Sequence, residues 1–280
     1  MTTKQLLLTA YIALCALSAA RAQDSCLLLD MRGKEPVFRS GEHITYTLSY
    51  TWGVWVPVGE ADFTTTLKSE RQRGFYHVEV NGKTFPFFDH FFKVRDYFAT
   101  KIDTQTMQPF YMQRTIDEGG YRRNSVGRYD WDKSLLYAYT QRLDKPSPLR
   151  HDTLPITPCT FDVVSVFYYY RCCDFSQVKA GNSYSIQLAL DNKVYTIRYR
   201  LYGTETLTVK GLGKFRTLKF SASLIAGKVF TGEEQVFFWV TDDSNRVPVY
   251  IEAPVIVGSI RARIKSWENL KYPLTSRLKI

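Results

Sequence analysis

Along most of the chain, apolar and polar positions alternate one for one. Ile44, Tyr46, Leu48 and Tyr50 alternate with His43, Thr45, Thr47 and Ser49, the period-2 pattern of a strand with one buried face. The cleanest case is "VYTIRYRLY": Tyr195, Ile197, Tyr199 and Leu201 share one side, Thr196, Arg198 and Arg200 the other. The same pattern predicts strands over 42–52, 58–69, 74–85, 92–102, 109–117, 121–130 and 135–142. A second set follows over 183–190, 193–202, 204–210, 214–226, 228–241, 246–252 and 256–266. Asp191-Asn192 marks a tight hairpin turn, and "KGLGKF" marks a second turn. Short connections of this kind make antiparallel pairing the default.

One stretch departs from the alternation. "TPCTFDVVSVFYYYRCC" reads as a helix over 158–172, with Thr157 as N-cap and Pro158 in the first turn. Val163, Val166, Phe167 and Tyr170 would form its apolar stripe at i, i+3, i+4, i+7. The loop before it, 143–157, is rich in proline. The expected fold is therefore mainly β: a large curved antiparallel sheet, half-open barrel or sandwich of roughly a dozen strands. One helix packs on it, and a single domain spans 23–280, its two halves joined by the loop and the helix. Long sheets with one buried face curl to remove exposed edges.

Residues 1–22 carry Lys4, the apolar run "QLLLTAYIALCALSAA" and an "ARA" cleavage pattern, which together predict a secretory signal peptide. Neither Cys15 nor Cys26 sits in a lipobox. Export predicts an oxidising compartment, and four cysteines would remain: Cys26, Cys159, Cys172 and Cys173. In one continuous helix Cys159 and Cys172 stand too far apart to bridge. Cys26 with Cys159 is thus the expected pair, with Cys26 to Cys172 or Cys173 as the alternative. A transmembrane β-barrel would also alternate, but the strand candidates are often short, a helix interrupts them, and the chain ends "SRLKI" without a terminal aromatic.

The chain has 280 residues and a net charge of +10, which loss of the leader would bring to about +8. A basic, exported protein suits anionic partners: anionic lipid, lipopolysaccharide or an envelope glycan. Peripheral membrane association fits the same charge. Nucleic acid is not expected, since no recognisable binding motif is present. The four histidines, His43, His77, His90 and His151, lack metal-ligand spacing, and no CxxC or GxSxG occurs. No metal site, cofactor or catalytic residue is therefore expected.

The densest polar constellation lies at 93–124, where charges alternate with aromatics. Arg95, Asp96, Asp103, Arg114 and Glu118 are its candidate binding residues. Trp55 joins them because it lies beyond a bend at Gly53, where an aromatic can line a cavity mouth or dock on a partner. Trp52, in the apolar register of Tyr46 to Tyr50, is assigned to the buried face.

"GEHITYTLSYTWGVWVPVGEADF", the Arg95-Asp96 pair, "CTFDVVSVFYYYR" and "VFFWVTDDSNRVPVYIEAPVIVGSIRARI" resemble the domain-of-unknown-function 3108 family. The resemblance implies an exported protein of a Gram-negative bacterium, hence a periplasmic location, and brings no activity or site residues with it. The functional expectation is a non-enzymatic protein that binds or carries a lipid, lipoprotein or glycan. The rivals are an envelope protein without ligand and a hydrolase using carboxylates of the 93–124 segment.

Overall fold

The alternation at Ile44, Tyr46 and Leu48 becomes β1 (His43–Thr51), and nearly every other period-2 segment becomes a strand of the same sheet. A computed structural model describes residues 34–51, 53–175, 178–223, 235–254 and 258–278 of the chain. The predicted signal peptide, Cys26 and Trp52 lie outside the described residues.

From β1 the chain meanders outward through β2 (Trp55–Glu70), β3 (Arg73–Thr84), β4 (Arg95–Asp103), β5 (Pro109–Glu118), β6 (Tyr121–Asp130), β7 (Leu135–Arg142) and β8 (Arg150–Pro155). It then crosses the interior through the two-residue strand β9 (Thr160–Phe161) and the helix Ser165–Cys172, labelled α2. A second meander returns through β10 (Ser183–Leu190), β11 (Lys193–Val209), β12 (Gly213–Ser223), β13 (Gln235–Thr241), β14 (Pro248–Pro254) and β15 (Ser259–Glu268). There β15 pairs antiparallel with β1, so the two limbs join at the middle of one sheet. Among the described residues every pairing is antiparallel except β9 with β10, and a short β16 (Arg277–Leu278) adds to β12.

The described residues thus hold 16 strands in one large curved sheet, more than the dozen expected. The extra ones are short or hidden by composition: β8 falls in the proline-rich loop, and β9 inside the predicted helix. The segments 193–202 and 204–210 are one strand, kinked where the register slips between Leu201 and Gly203. Gly203 has φ +118°, a left-handed value suited to glycine. Such bulges bend and twist the sheet toward closure.

Two helices depart from the reading at 158–172 and at "PFFDHFF". The first begins at Ser165 rather than Pro158. Asp162 accepts hydrogen bonds from the Val164 and Ser165 amides at 2.9 and 3.0 Å, while its own amide donates to Ser165 Oγ at 3.0 Å. This reciprocal cap fixes the start, and Thr160–Phe161 is drawn into pairing with β10 instead. The distance argument against Cys159 bridging Cys172 therefore loses its basis, although Cys172 and Cys173 are both free thiols. The second helix, α1 (Pro86–Phe92), sits in the β3–β4 connection where a strand start at 92 was expected.

Inside the curve, α2 packs between the two limbs. Tyr168 and Tyr169 join Phe38, Val78, Val80 and Ile102 in one buried cluster. Val166 and Tyr170 lean on the other, built from Ile186, Ile197, Tyr199, Leu201 and Phe220. Strand direction alternates along the meander, so the β1–β2, β3–β4, β5–β6 and β7–β8 connections share one rim. The antiparallel β1–β15 pairing places the β10–β11 turn on that same, upper rim. At the opposite rim, Leu270 and Leu274 of the C-terminal segment pack on the cluster containing Phe215 and Ile264.

Candidate functional site

Between α2 and the inner faces of the second limb lies a cavity of about 1000 Å³. Its floor is the inner alternation of β10 to β13: Ile186, Leu188, Tyr195, Ile197, Phe220 and Phe238. Its wall is Val163, Val166, Phe167 and Tyr170 of the α2 region. The apolar stripe read from the sequence is thus the cavity wall, while Tyr168 and Tyr169 on the far side of the helix hold it to the first limb.

The cavity meets the upper rim at a charged mouth formed by Arg114, Glu118, Tyr121, Arg123, Asp191 and Lys193. Alternation places Arg114, Ile116 and Glu118 on one face of β5, and register sets Glu118 opposite Tyr121 and Ile116 opposite Arg123. Asp191 and Asn192 have φ +51° and +57°, so the predicted hairpin turn is of the type that needs both central residues left-handed. This turn carries Asp191 across to the other limb. Arg114 Nη1 stands 2.6 Å from Asp191 Oδ1, and Arg123 pairs with the same oxygen. Asn192 donates to Asp152 at 2.6 Å and accepts from Thr140. Side chains, rather than a backbone ladder, join the two limbs here.

The Nε atoms of Arg114 and Arg123 are buried and lack an acceptor. Leaving such donors unmet is costly. Next to them, burial and the neighbouring Glu118 carboxyl, with which it hydrogen-bonds, push Asp96 up to about 7, although the Asp117 amide and Arg114 act the other way.

The sequence-level candidates separate into two groups. Asp96, Arg114 and Glu118 come together on the inner face of β4 and β5, at the cavity mouth. The other three stand elsewhere. Arg95, one residue from Asp96 and so on the opposite face, grips Asp89 of α1 at 2.5 and 3.0 Å, and this pairing lowers Asp89 to about 2. Asp103 accepts from the Gln105 and Thr106 amides and from Arg73 Nε, capping a turn at the lower rim. Trp55 lies on the outer face, with the Arg261 guanidinium 3.6 Å from its ring centre. Arg123, Asp191 and Lys193 were legible as charges or turn residues, but only the register brings them to the mouth. Among the described residues, no three His, Cys, Asp or Glu side chains group to hold a metal ion, and no helix is long and apolar enough to cross a membrane.

No curated protein matches the sequence. Among solved structures, the chain is similar to a β-barrel-like protein of the domain of unknown function DUF1849 from Brucella abortus, with a TM-score of 0.54 at 10% identity, covering 83% of this chain and 99% of that one. It also matches a candidate exported protein of YmcC-like fold from Bacteroides fragilis, at a TM-score of 0.31 and 10% identity over 87% and 100% of the two chains. The first likeness bears on the fold alone. The profile of the family described as "Protein of unknown function (DUF3108)" matches residues 45–265, so the chain belongs to that family.

Proposed function

We propose that the cavity holds an amphiphile with an anionic head group, its chain among the apolar side chains and its head at Arg114 and Arg123. The observation that carries this reading is the 1000 Å³ apolar space opening onto two arginines that keep unmet donors. A cavity of this size accommodates a drug- or lipid-sized molecule. Apolar surface burial would supply the affinity, and the guanidinium groups would select oxyanions geometrically. Lipids, acylated proteins and acylated envelope glycans share this chemistry.

The carboxylate-hydrolase alternative gains less support. Asp96 and Glu118 contact each other, whereas glycoside hydrolysis needs two carboxyls about 5 Å or more apart across the bond. The reading also takes the protein to be exported, on the strength of the leader pattern at 1–22. It keeps the Cys26–Cys159 disulfide, supported by Cys159 not being among the free thiols.

Native mass spectrometry of the purified protein, followed by organic extraction, tests the proposal. A reproducible bound mass that extracts as an amphiphile and disappears in Arg114→Ala/Arg123→Ala supports it. A clean unliganded mass, together with no uptake of a 16-carbon fatty acid from buffer, overturns it in favour of an envelope protein without ligand.

A further inference from the structure

Among the described residues, eight of the twelve exposed large apolar side chains crowd the upper rim. α1 presents Phe87, Phe91 and Phe92 at 67%, 75% and 55% exposure, and Val54, Val56 and Ile260 add 77%, 43% and 41%. Folding normally removes such side chains from water, so a cluster of them needs a covering partner. Three contacts anchor α1. Arg95 clamps Asp89, the Phe85 amide donates to Val58 O at 2.9 Å, and the Gly119 amide donates to Lys93 O at 2.8 Å. That last bond ties the helix to the β5–β6 turn, which carries Glu118 and Tyr121 of the cavity mouth.

Charge on the rim is uneven. Asp89, Asp144 and Asp191 are each held by an arginine. The exposed Lys93, Arg122, Lys145 and Lys193 take no carboxylate partner among the described ion pairs. The patch joins three aromatic rings of α1 to aliphatic side chains of β2, β15 and the β1–β2 turn, and exposed cations lie around it. Together they fit a plane that is apolar below and anionic at its surface.

We infer that the upper rim docks on an anionic lipid bilayer, with α1 lying in the interface and the cavity mouth facing the headgroups. This goes beyond the cavity reading, since the surface argument stands whether or not the cavity is filled. Docking in this pose would let an amphiphile pass between bilayer and cavity without crossing open water.

The test is flotation of the purified protein with vesicles of phosphatidylcholine alone and of phosphatidylcholine with a quarter phosphatidylglycerol. The protein should float with the anionic vesicles, less so as salt rises. Phe87→Ser/Phe91→Ser should lower the partition coefficient on the order of tenfold or more without changing the melting temperature, because both rings are exposed. Lys93→Glu should weaken binding to the anionic vesicles alone. Failure of the wild-type protein to float, or an unchanged partition in the phenylalanine variant, overturns the inference. Uptake of a 16-carbon fatty acid below its micelle concentration is measured in parallel and should be equal in wild type and variant. If no fatty acid binds but flotation still depends on the two phenylalanines, the docking surface stands and the cavity reading falls.

Discussion

Arg171 and Glu42, 129 residues apart, form a buried two-point ion pair: Nη1 to Oε1 is 2.6 Å and Nη2 to Oε2 is 2.8 Å, with the side chains 4% and 0% exposed. The third guanidinium direction is also met, by donation from Nε to Asn245 O at 3.0 Å. Phe38 and Tyr168 flank the group. The pair ties the entry to β1 to the C-terminal turn of α2, and so fixes the helix inside the curved sheet. Removing one partner leaves a buried charge without compensation, which costs about 3–5 kcal/mol. Glu42→Leu and Arg171→Met should each lower unfolding stability by that order in urea titrations. The double variant Glu42→Leu/Arg171→Met should lose markedly less than the two single losses added together. Additive losses would show that the two groups do not act as a pair.

Gly59 illustrates a backbone approach that excludes any side chain. A Cβ there would lie 2.4 Å from the Lys83 carbonyl oxygen and 3.1 Å from Thr84 Cα. Both contacts are backbone of the paired strand, which cannot rotate away. Gly59→Ala should therefore destabilise by at least 1–3 kcal/mol, read from urea titrations. An alanine variant as stable as wild type would mean the β2–β3 ladder can part at this point.

The Asp96–Glu118 pair should give the protein an unusual pH dependence near neutrality. The ordinary value for an aspartate is 3.8, and burial beside Glu118 lifts Asp96 to about 7. Between these values the folded protein keeps a proton that the unfolded chain has lost. Stability from this group is complete below about pH 4 and is lost as pH rises through 7. The arginine-held Asp89 works in the opposite sense, its contribution fading as pH falls toward 2. Melting temperature should thus decline between pH 5 and pH 8, and Asp96→Asn should flatten that decline. An equal slope in the variant would assign it to other groups.

Ala222 points into the cavity from β12, opposite Val236 and Tyr199 in the neighbouring strands. Ala222→Phe should fill open space instead of overpacking, leaving stability within about 1 kcal/mol of wild type. Uptake of a 16-carbon fatty acid should fall severalfold, measured by displacement of a fluorescent analogue. Loss of uptake accompanied by loss of fold would not count, so circular dichroism is recorded on the same samples.

Peptide mapping without reductant should recover Cys26 linked to Cys159. Cys159→Ser should lower stability by a few kcal/mol, since the bridge closes a long loop in the unfolded chain. Recovery of both peptides with free thiols would remove the bridge from the account.

The alternation of residues determined the strands, their inward and outward faces and hence the class of fold. Tyr195, Ile197 and Tyr199 had to share a side in any sheet, because successive side chains point to opposite faces. Local chemistry also fixed the Asp191-Asn192 turn. It misplaced the start of α2, because Thr157-Pro158 and the Asp162-Ser165 cap both read as helix starts. Pairing of Thr160–Phe161 with β10, a contact 27 residues away in sequence, chose between them. What alternation cannot express is curvature and register across distant strands. Whether the inner face of β10 to β13 meets another layer or encloses space depends on how far bulges such as that at Gly203 bend the sheet. Whether Arg114 and Asp191, 77 residues apart, meet depends on the limbs closing around α2. The sequence set the faces, and the tertiary structure alone turned one of them into a cavity with a charged mouth.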